Sequence, residues 1–245
     1  MEKLARREYV LRKITSLLFV LLALTCPASY AAVKPAQDSV PALVRAHVEG
    51  MEIVKPTLLN IFKYVECFDV WDILDKSRED TLAAGNIPAL IAALEEMDKV
   101  AAVAAAKVKP FVSSKNESIK VAANRIQDTY EQLIKSNKIS VNQLRSFQKE
   151  PGSAESLGKI GYDIEFRISD FTSSLCHASE WVVEAINKAY PDKEKAGYPP
   201  KERAEMVKRL AAFFGEIKNK EAGIFLTEGV HFRNAVVSLY ETIKQ

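Results

Sequence analysis

Residues 153–190 read SAESLGKIGYDIEFRISDFTSSLCHASEWVVEAINKAY, and the spacing of their apolar positions decides the fold class. Leu157, Ile160, Ile164, Ile168, Phe171, Leu175, Ala178, Val182, Ala185 and Ala189 follow one another in steps of three or four. That period matches an α-helical turn, so the ten residues form one stripe down one face. No charge interrupts the stripe. A clean face of that length must be covered by other helices, and this helix is expected to be the central one.

The segments on either side repeat the pattern. Residues 40–75 are apolar at Val44, Val48, Met51, Leu58, Ile61, Val65 and Phe68, with Pro56 predicting a kink or break. Residues 87–108 form a second helix, begun at Asn86 and Pro88, whose alanine-rich stretch Ala101–Ala106 suits close helix approach. Ser114-x-x-Glu117 and Ser140-x-x-Gln143 are two reciprocal capping patterns. They predict one helix through Ile119, Ile126, Tyr130 and Leu133, then a shorter one stapled by Ile139 and Leu144. After Pro191 and the Gly197–Pro200 break, two last helices carry Met206, Leu210, Phe213, Phe214 and Ile217, then Phe225, Phe232, Val236, Leu239 and Ile243. No stretch alternates with a period of two. The expectation is an all-α, single-domain helical bundle of about six helices.

The amino terminus carries an address. Lys3, Arg6, Arg7, Arg12 and Lys13 precede the apolar run Leu17–Leu24, and Cys26-Pro27-Ala28-Ser29-Tyr30-Ala31 turns small. Basic head, short apolar core and small-residue exit describe a signal peptide, 1–31, cleaved after Ala31 to leave an exported domain, 32–245. Periplasmic or extracellular localisation follows. Retention as an anchor and acylation at Cys26 are the alternatives, but the core is short for a bilayer span and Leu24-Thr25 is a poor lipoprotein context.

Removing that segment also changes the charge. The full chain has 34 Lys/Arg and 32 Asp/Glu; taking away five and two leaves 29 and 30, a net charge of −1. A basic field for nucleic acid has no compositional support. No later stretch is long and apolar enough to predict a transmembrane segment in the mature chain. Cys67 and Cys176 would remain as a pair in an oxidising compartment, a candidate disulfide, with two separate buried thiols as the alternative.

Catalytic signatures are scarce. Glu228-x-x-His231 has the spacing that puts a carboxylate and an imidazole on one helical face, but a second such unit is missing, so no metal set is complete. His177-x-x-Glu180 runs in the reverse order, and His47 completes the histidines. Glu95, Glu96 and Asp98 form an acidic cluster read as a solvated face, and the alternating charges of 201–221 read as an exposed, salt-bridged surface. Asn116-Glu117-Ser118 matches a glycosylation sequon, read as incidental beside a signal of bacterial style. There is no G-x-S-x-G, H-E-x-x-H or phosphate-binding glycine loop.

No catalytic residue and no cofactor is therefore assigned. The leading expectation is an exported bundle that binds a protein partner or serves as a scaffold, with Phe213 and Phe214 as candidate partner-facing residues. The second is a carrier or sensor of an apolar or aromatic small molecule, drawing on Phe62, Phe68, Trp71, Phe171, Trp181, Phe213 and Phe214. A metal-dependent enzyme built on Glu228 and His231 comes third.

Overall fold

Ser153 caps the helix Ala154–Ala189, its hydroxyl accepting the Ser156 N–H at 3.2 Å, and the chain leaves that helix at Tyr190. A computed structural model of the protein describes residues 38–65, 83–192, 197–220 and 230–245, except the side chains of 83–85, 154 and 214–220. All of these belong to one compact unit, 38–245. The helices are α1 (Val40–Val65), α2 (Ala83–Val108), α3 (Glu117–Lys149), α4 (Ala154–Ala189), α5 (Pro200–Lys220) and α6 (Val230–Lys244). A 3-10 turn, Lys109–Phe111, joins α2 to α3, and no strand occurs among the described residues. Nor is any described helix long and apolar enough to cross a membrane.

Cross-helix pairs give the direction of each helix. Lys107 Nζ reaches Glu49 Oε2 at 2.7 Å and Ser114 Oγ donates to Asp38 Oδ1 at 2.5 Å, so α2 runs back along α1. Asn137 Nδ2 donates to Asp98 Oδ1 at 3.0 Å and Arg145 pairs with Glu95, which reverses α3 against α2. Arg167 Nη1 donates to Ser140 Oγ at 2.8 Å and Gln143 Oε1 at 2.9 Å, which reverses α4 against α3. The four helices thus alternate up and down, and contact between α1 and α4 closes the bundle. Helix α6 packs along α4, while α5 rests on α6 and α1. The expected central helix is central: α4 touches α1, α3 and α6.

Its stripe is buried at Leu157, Ile164, Ile168, Phe171, Leu175, Ala178, Val182 and Ala185, while Ile160 is only half-buried. At the end Ile186 is buried and Ala189 is exposed. The small residues of α2 allow the close approach expected of them. A Cβ on Gly50 of α1 would lie 3.3 Å from Ala104 Cβ and 3.0 Å from Tyr130 Oη. Hydrogen at position 50 lets α1, α2 and α3 converge there.

Several local expectations are corrected by longer-range contacts. Helix α1 passes unbroken through Pro56, whose ring is exposed, so water can take the place of the missing donor at the Glu52 carbonyl. Helix α2 begins at Ala83, upstream of Asn86 and Pro88. Ser140 starts no helix: it is buried midway along α3, where its hydroxyl accepts from Arg167. Ser114 is not the cap of α3. Asn116 is, with Oδ1 accepting the N–H groups of Ser118 and Ile119 at 3.0 and 3.4 Å. The sequon asparagine is therefore occupied as a helix cap.

The charged helix α5 is docked and not simply solvated. Arg209 Nη2 meets Glu52 Oε2 at 2.5 Å and Nη1 meets Glu49 Oε1 at 3.4 Å, while Arg45 lies 3.6 Å from Glu205. Arg203 donates through Nε and Nη2 to the carbonyls of Ile243 and Lys244, at 3.0 and 2.9 Å. Those carbonyls belong to the last turn of α6, where helical donors run out. Beneath the charges, Met206, Leu210 and Phe213 of α5 and Phe232, Val236 and Leu239 of α6 are buried, and Phe213 meets Phe232.

Candidate functional site

The hairpin of α3 and α4 carries Ile139, Tyr162, Phe166 and Trp181, four exposed large apolar side chains among the described residues. The chain turns through 150–153, where the Glu150 N–H donates to the Ser146 carbonyl and Ser156 Oγ donates back to the Ser153 carbonyl at 2.7 Å. Gly152 fills this corner: a Cβ there would sit 2.5 Å from Ser156 Oγ. Above the corner the two helices separate around a groove of about 750 Å³. Ile139, Phe147 and Ile160 give it apolar walls, and Gln143, Lys159 and Asp163 give it polar edges. Arg167, bonded to Ser140 and Gln143, holds the helices together at its far end.

Beside the groove, Tyr162 and Phe166 stand 63% and 65% exposed, and Ile139 52%. At about 100° per residue, 162 and 166 fall opposite the buried Ile164. Neither ring is buried by the described helices. A cluster of exposed aromatics beside a groove is the usual mark of an interaction surface. The sequence held this signal, but only the buried stripe of α4 was read from it.

Phe213, read from helix amphipathicity as core with a partner-facing groove as the alternative, is inside the fold. It is 3% exposed, meets Phe232 edge-on at 5.6 Å between centroids, and carries Lys55 Nζ 4.7 Å from its ring centre. The apolar face of α5 is closed by α6 and α1. The Phe214 side chain lies outside the described residues. Of the other aromatics proposed for a ligand, Phe62 and Phe171 are core, the latter 5.9 Å from Tyr130. Phe68 and Trp71 lie outside the described residues, and Trp181 is on the surface with Arg125 at 5.9 Å.

Trp181, Arg125, Asp128 and His177 border a second, smaller cleft of about 210 Å³ between α3 and α4. His177 Nδ1 pairs with exposed Glu180 at 3.1 Å. Next to it, Cys176 is half-buried, and its thiol has no partner among the described residues. Burial and the charge of Glu180 push that thiol up, away from the reactive thiolate. Cys67 lies outside the described residues, as do residues 1–37, which hold the expected signal and Cys26. Cys176 sits one turn from Ser179, which touches His47. Val65 is about 27 Å farther along α1 than His47.

His47 gave no distinguishing signal in the sequence, yet it is wholly buried. Its Nε2 lies 2.8 Å from Ser179 Oγ, and that hydroxyl lies 2.9 Å from the Leu175 carbonyl. Ser179 has one proton and gives it to Leu175, so Nε2 carries a hydrogen and donates to Ser179. Nδ1 is left with a bare lone pair and no partner among the described residues. Burial lowers the pKa of His47 to about 4. Tyr130 Oη, buried against Gly50, is likewise unpartnered, and burial raises its pKa. The Ser179 proton points away from the imidazole and nothing reaches it from solvent. This pair is a structural link between α1 and α4, not a nucleophile and base.

The acidic cluster of α2 is divided among partners. Glu95 pairs with Arg145, Glu96 with Lys99 at 3.0 Å, and Asp98 accepts from Asn137. Two of the three therefore bridge to α3, and burial raises the Asp98 carboxyl. Glu49 behaves differently: burial opposes its charge, but Lys107 and Arg209 together hold it below the ordinary value. Among the described residues no three His, Cys, Asp or Glu side chains are grouped to hold a metal ion. His231 lies on α6, and Glu228 is outside the described residues. No protein-family model, curated protein or solved structure matches the chain.

Proposed function

We propose that the protein is an exported helical bundle that acts by binding a protein partner, or by scaffolding one, through the outer face of the α3–α4 hairpin. The supporting observation is the exposure of Tyr162 and Phe166 beside the groove walled by Ile139, Phe147 and Ile160. Aromatic anchors next to a concavity are where binding energy concentrates at interfaces. The test compares what wild type, Phe166→Ser and Tyr162→Ser retain from the envelope fraction, with Val103→Ser as a control. Val103 is an exposed apolar residue on α2, away from the groove. Each hairpin variant should lower recovery of a defined partner by at least about tenfold, the scale of a hot-spot truncation. Equal recovery by all four proteins refutes the assignment.

A second reading, carriage of an apolar small molecule, draws on the groove volume of about 750 Å³, within the size range of ligand pockets. Native mass spectrometry separates the two. A preparation with no adduct, and no thermal shift across apolar ligands, removes the carrier. The metal-dependent enzyme requires stoichiometric metal after purification without chelators. Export rests on residues 1–31 and is tested by intact mass. The exported form should begin at Ala32, whereas a full-length or Cys26-acylated mass overturns the soluble form.

A further inference from the structure

Four residues of α4 occupy the side of the helix that faces away from the core: Lys159, Tyr162, Phe166 and Asp170, all exposed. At about 100° per residue they fall within about 80° of one another, opposite Ile164 and Leu175. Neither Lys159 nor Asp170 has an ion-pair partner among the described residues. Along the helix the order is cation, aromatic, aromatic, anion. A parallel copy would set Lys159 on Lys159 and Asp170 on Asp170. Turned about a two-fold axis between Tyr162 and Phe166, the same face complements itself. Tyr162 then meets the copy's Phe166 and Lys159 meets the copy's Asp170, with every contact made twice. Lys159 and Asp170 also share one flank of the face, and antiparallel helices bring like flanks together.

We infer that this face binds a second copy of the chain, forming an antiparallel, two-fold α4–α4 contact. The inference rests on reading the outer face of α4 as a binding surface. It names the occupant by charge complementarity, which a copy supplies without any further partner. The groove lies on the flank of Lys159 and extends the surface toward α3. Contact through one helix face and its groove is at the small end of protein interfaces, so association falls in the region of micromolar dissociation constants.

The test is sedimentation velocity of the purified protein at low salt, from about 1 to about 100 µM, a range that brackets such an affinity. The variants are Lys159→Glu, Asp170→Lys, the double reversal and Phe166→Ser. The dimer fraction should rise across the range. Each single reversal places like charges at both symmetric positions and should weaken association by at least about tenfold. The double reversal restores opposite charges and should return to within about threefold of wild type. Phe166→Ser should leave monomer only. All three altered positions are exposed, so thermal unfolding at about 1 µM, the low end of that range, should not change and serves as the folding control. A monomer at every concentration, or a double reversal that restores nothing, overturns the inference. A monomeric protein that still loses an envelope partner on Phe166→Ser overturns self-association alone, while one that loses no partner removes the proposed function as well.

Discussion

Lowering the pH from 7 to 4 should destabilise the fold by about 3 kcal/mol through His47 alone. Its pKa drops from the ordinary 6.5 to about 4 on burial, because a charged imidazole there would lose its water and gain no acceptor. As the pH falls through the ordinary value, the unfolded chain takes up a proton and the folded chain does not. The unfolded state is favoured progressively down to the folded pKa, below which both states are protonated and the loss stops growing. Each unit of displacement corresponds to about 1.4 kcal/mol, which gives the magnitude. The assay is urea unfolding of wild type and His47→Leu at pH 7, 5 and 4. Leucine removes the titrating group and the orphaned Nδ1, and Ser179 keeps its bond to the Leu175 carbonyl. The variant should lie within about 1 kcal/mol of wild type at pH 7. At pH 4 it should be the more stable by about 2–3 kcal/mol, or about 6 °C in Tm. Other groups titrate in both proteins and cancel in the difference. A difference that stays constant from pH 7 to 4 refutes the buried, neutral imidazole.

Other perturbations probe the remaining contacts. Tyr130→Phe removes a buried hydroxyl that has no partner and should stabilise the protein by about 1 kcal/mol in urea unfolding. Gly50→Val forces a side chain into the space under Tyr130 and should cost about 2 kcal/mol or more, with part recovered in the Gly50→Val/Tyr130→Phe pair. Arg209→Met should cost about 1 kcal/mol at low salt and less at high salt, since the guanidinium is partly exposed where it holds Glu49 and Glu52. The Glu49 carboxyl is held low, so the stability it contributes is present above its unfolded pKa and lost as the pH falls through the folded value. Arg209→Met should flatten that acid-side loss. Phe213→Ser should cost about 3 kcal/mol or more and Phe166→Ser under about 0.5, a contrast read by thermal unfolding that separates core from surface.

The buried skeleton of the bundle was legible because each helix writes its burial into a local period. Leu157 to Ala185 could be placed on one face from spacing alone, and Ser153 announced the start of that helix. Local signals misled where a distant residue claimed the same atom. Ser140 looks like a cap to anyone counting three residues forward, but its hydroxyl accepts from Arg167 on the next helix. The charges of α5 read as a salt-bridged surface, but Glu49 and Glu52 as its partners could not be read because they lie far away in sequence. Phe213 could not be assigned to core or surface until α6 was placed against it. Tyr162 and Phe166 differ in kind. Their angular position opposite the stripe was available in the sequence, but their exposure depends on no neighbouring helix covering that side.

The convergence at Gly50, Ala104 and Tyr130 also bears on how this sequence can be inherited. The three positions stand on different helices and are far apart along the chain, yet they share one small volume. A lineage that enlarges residue 50 must first shorten or shift the residue at 130, and one that enlarges 104 closes the same route. Substitutions at these sites should accumulate in a fixed order, with the tyrosine hydroxyl lost before the glycine is replaced. Descendants of this chain would carry that order as a correlated triplet in the core.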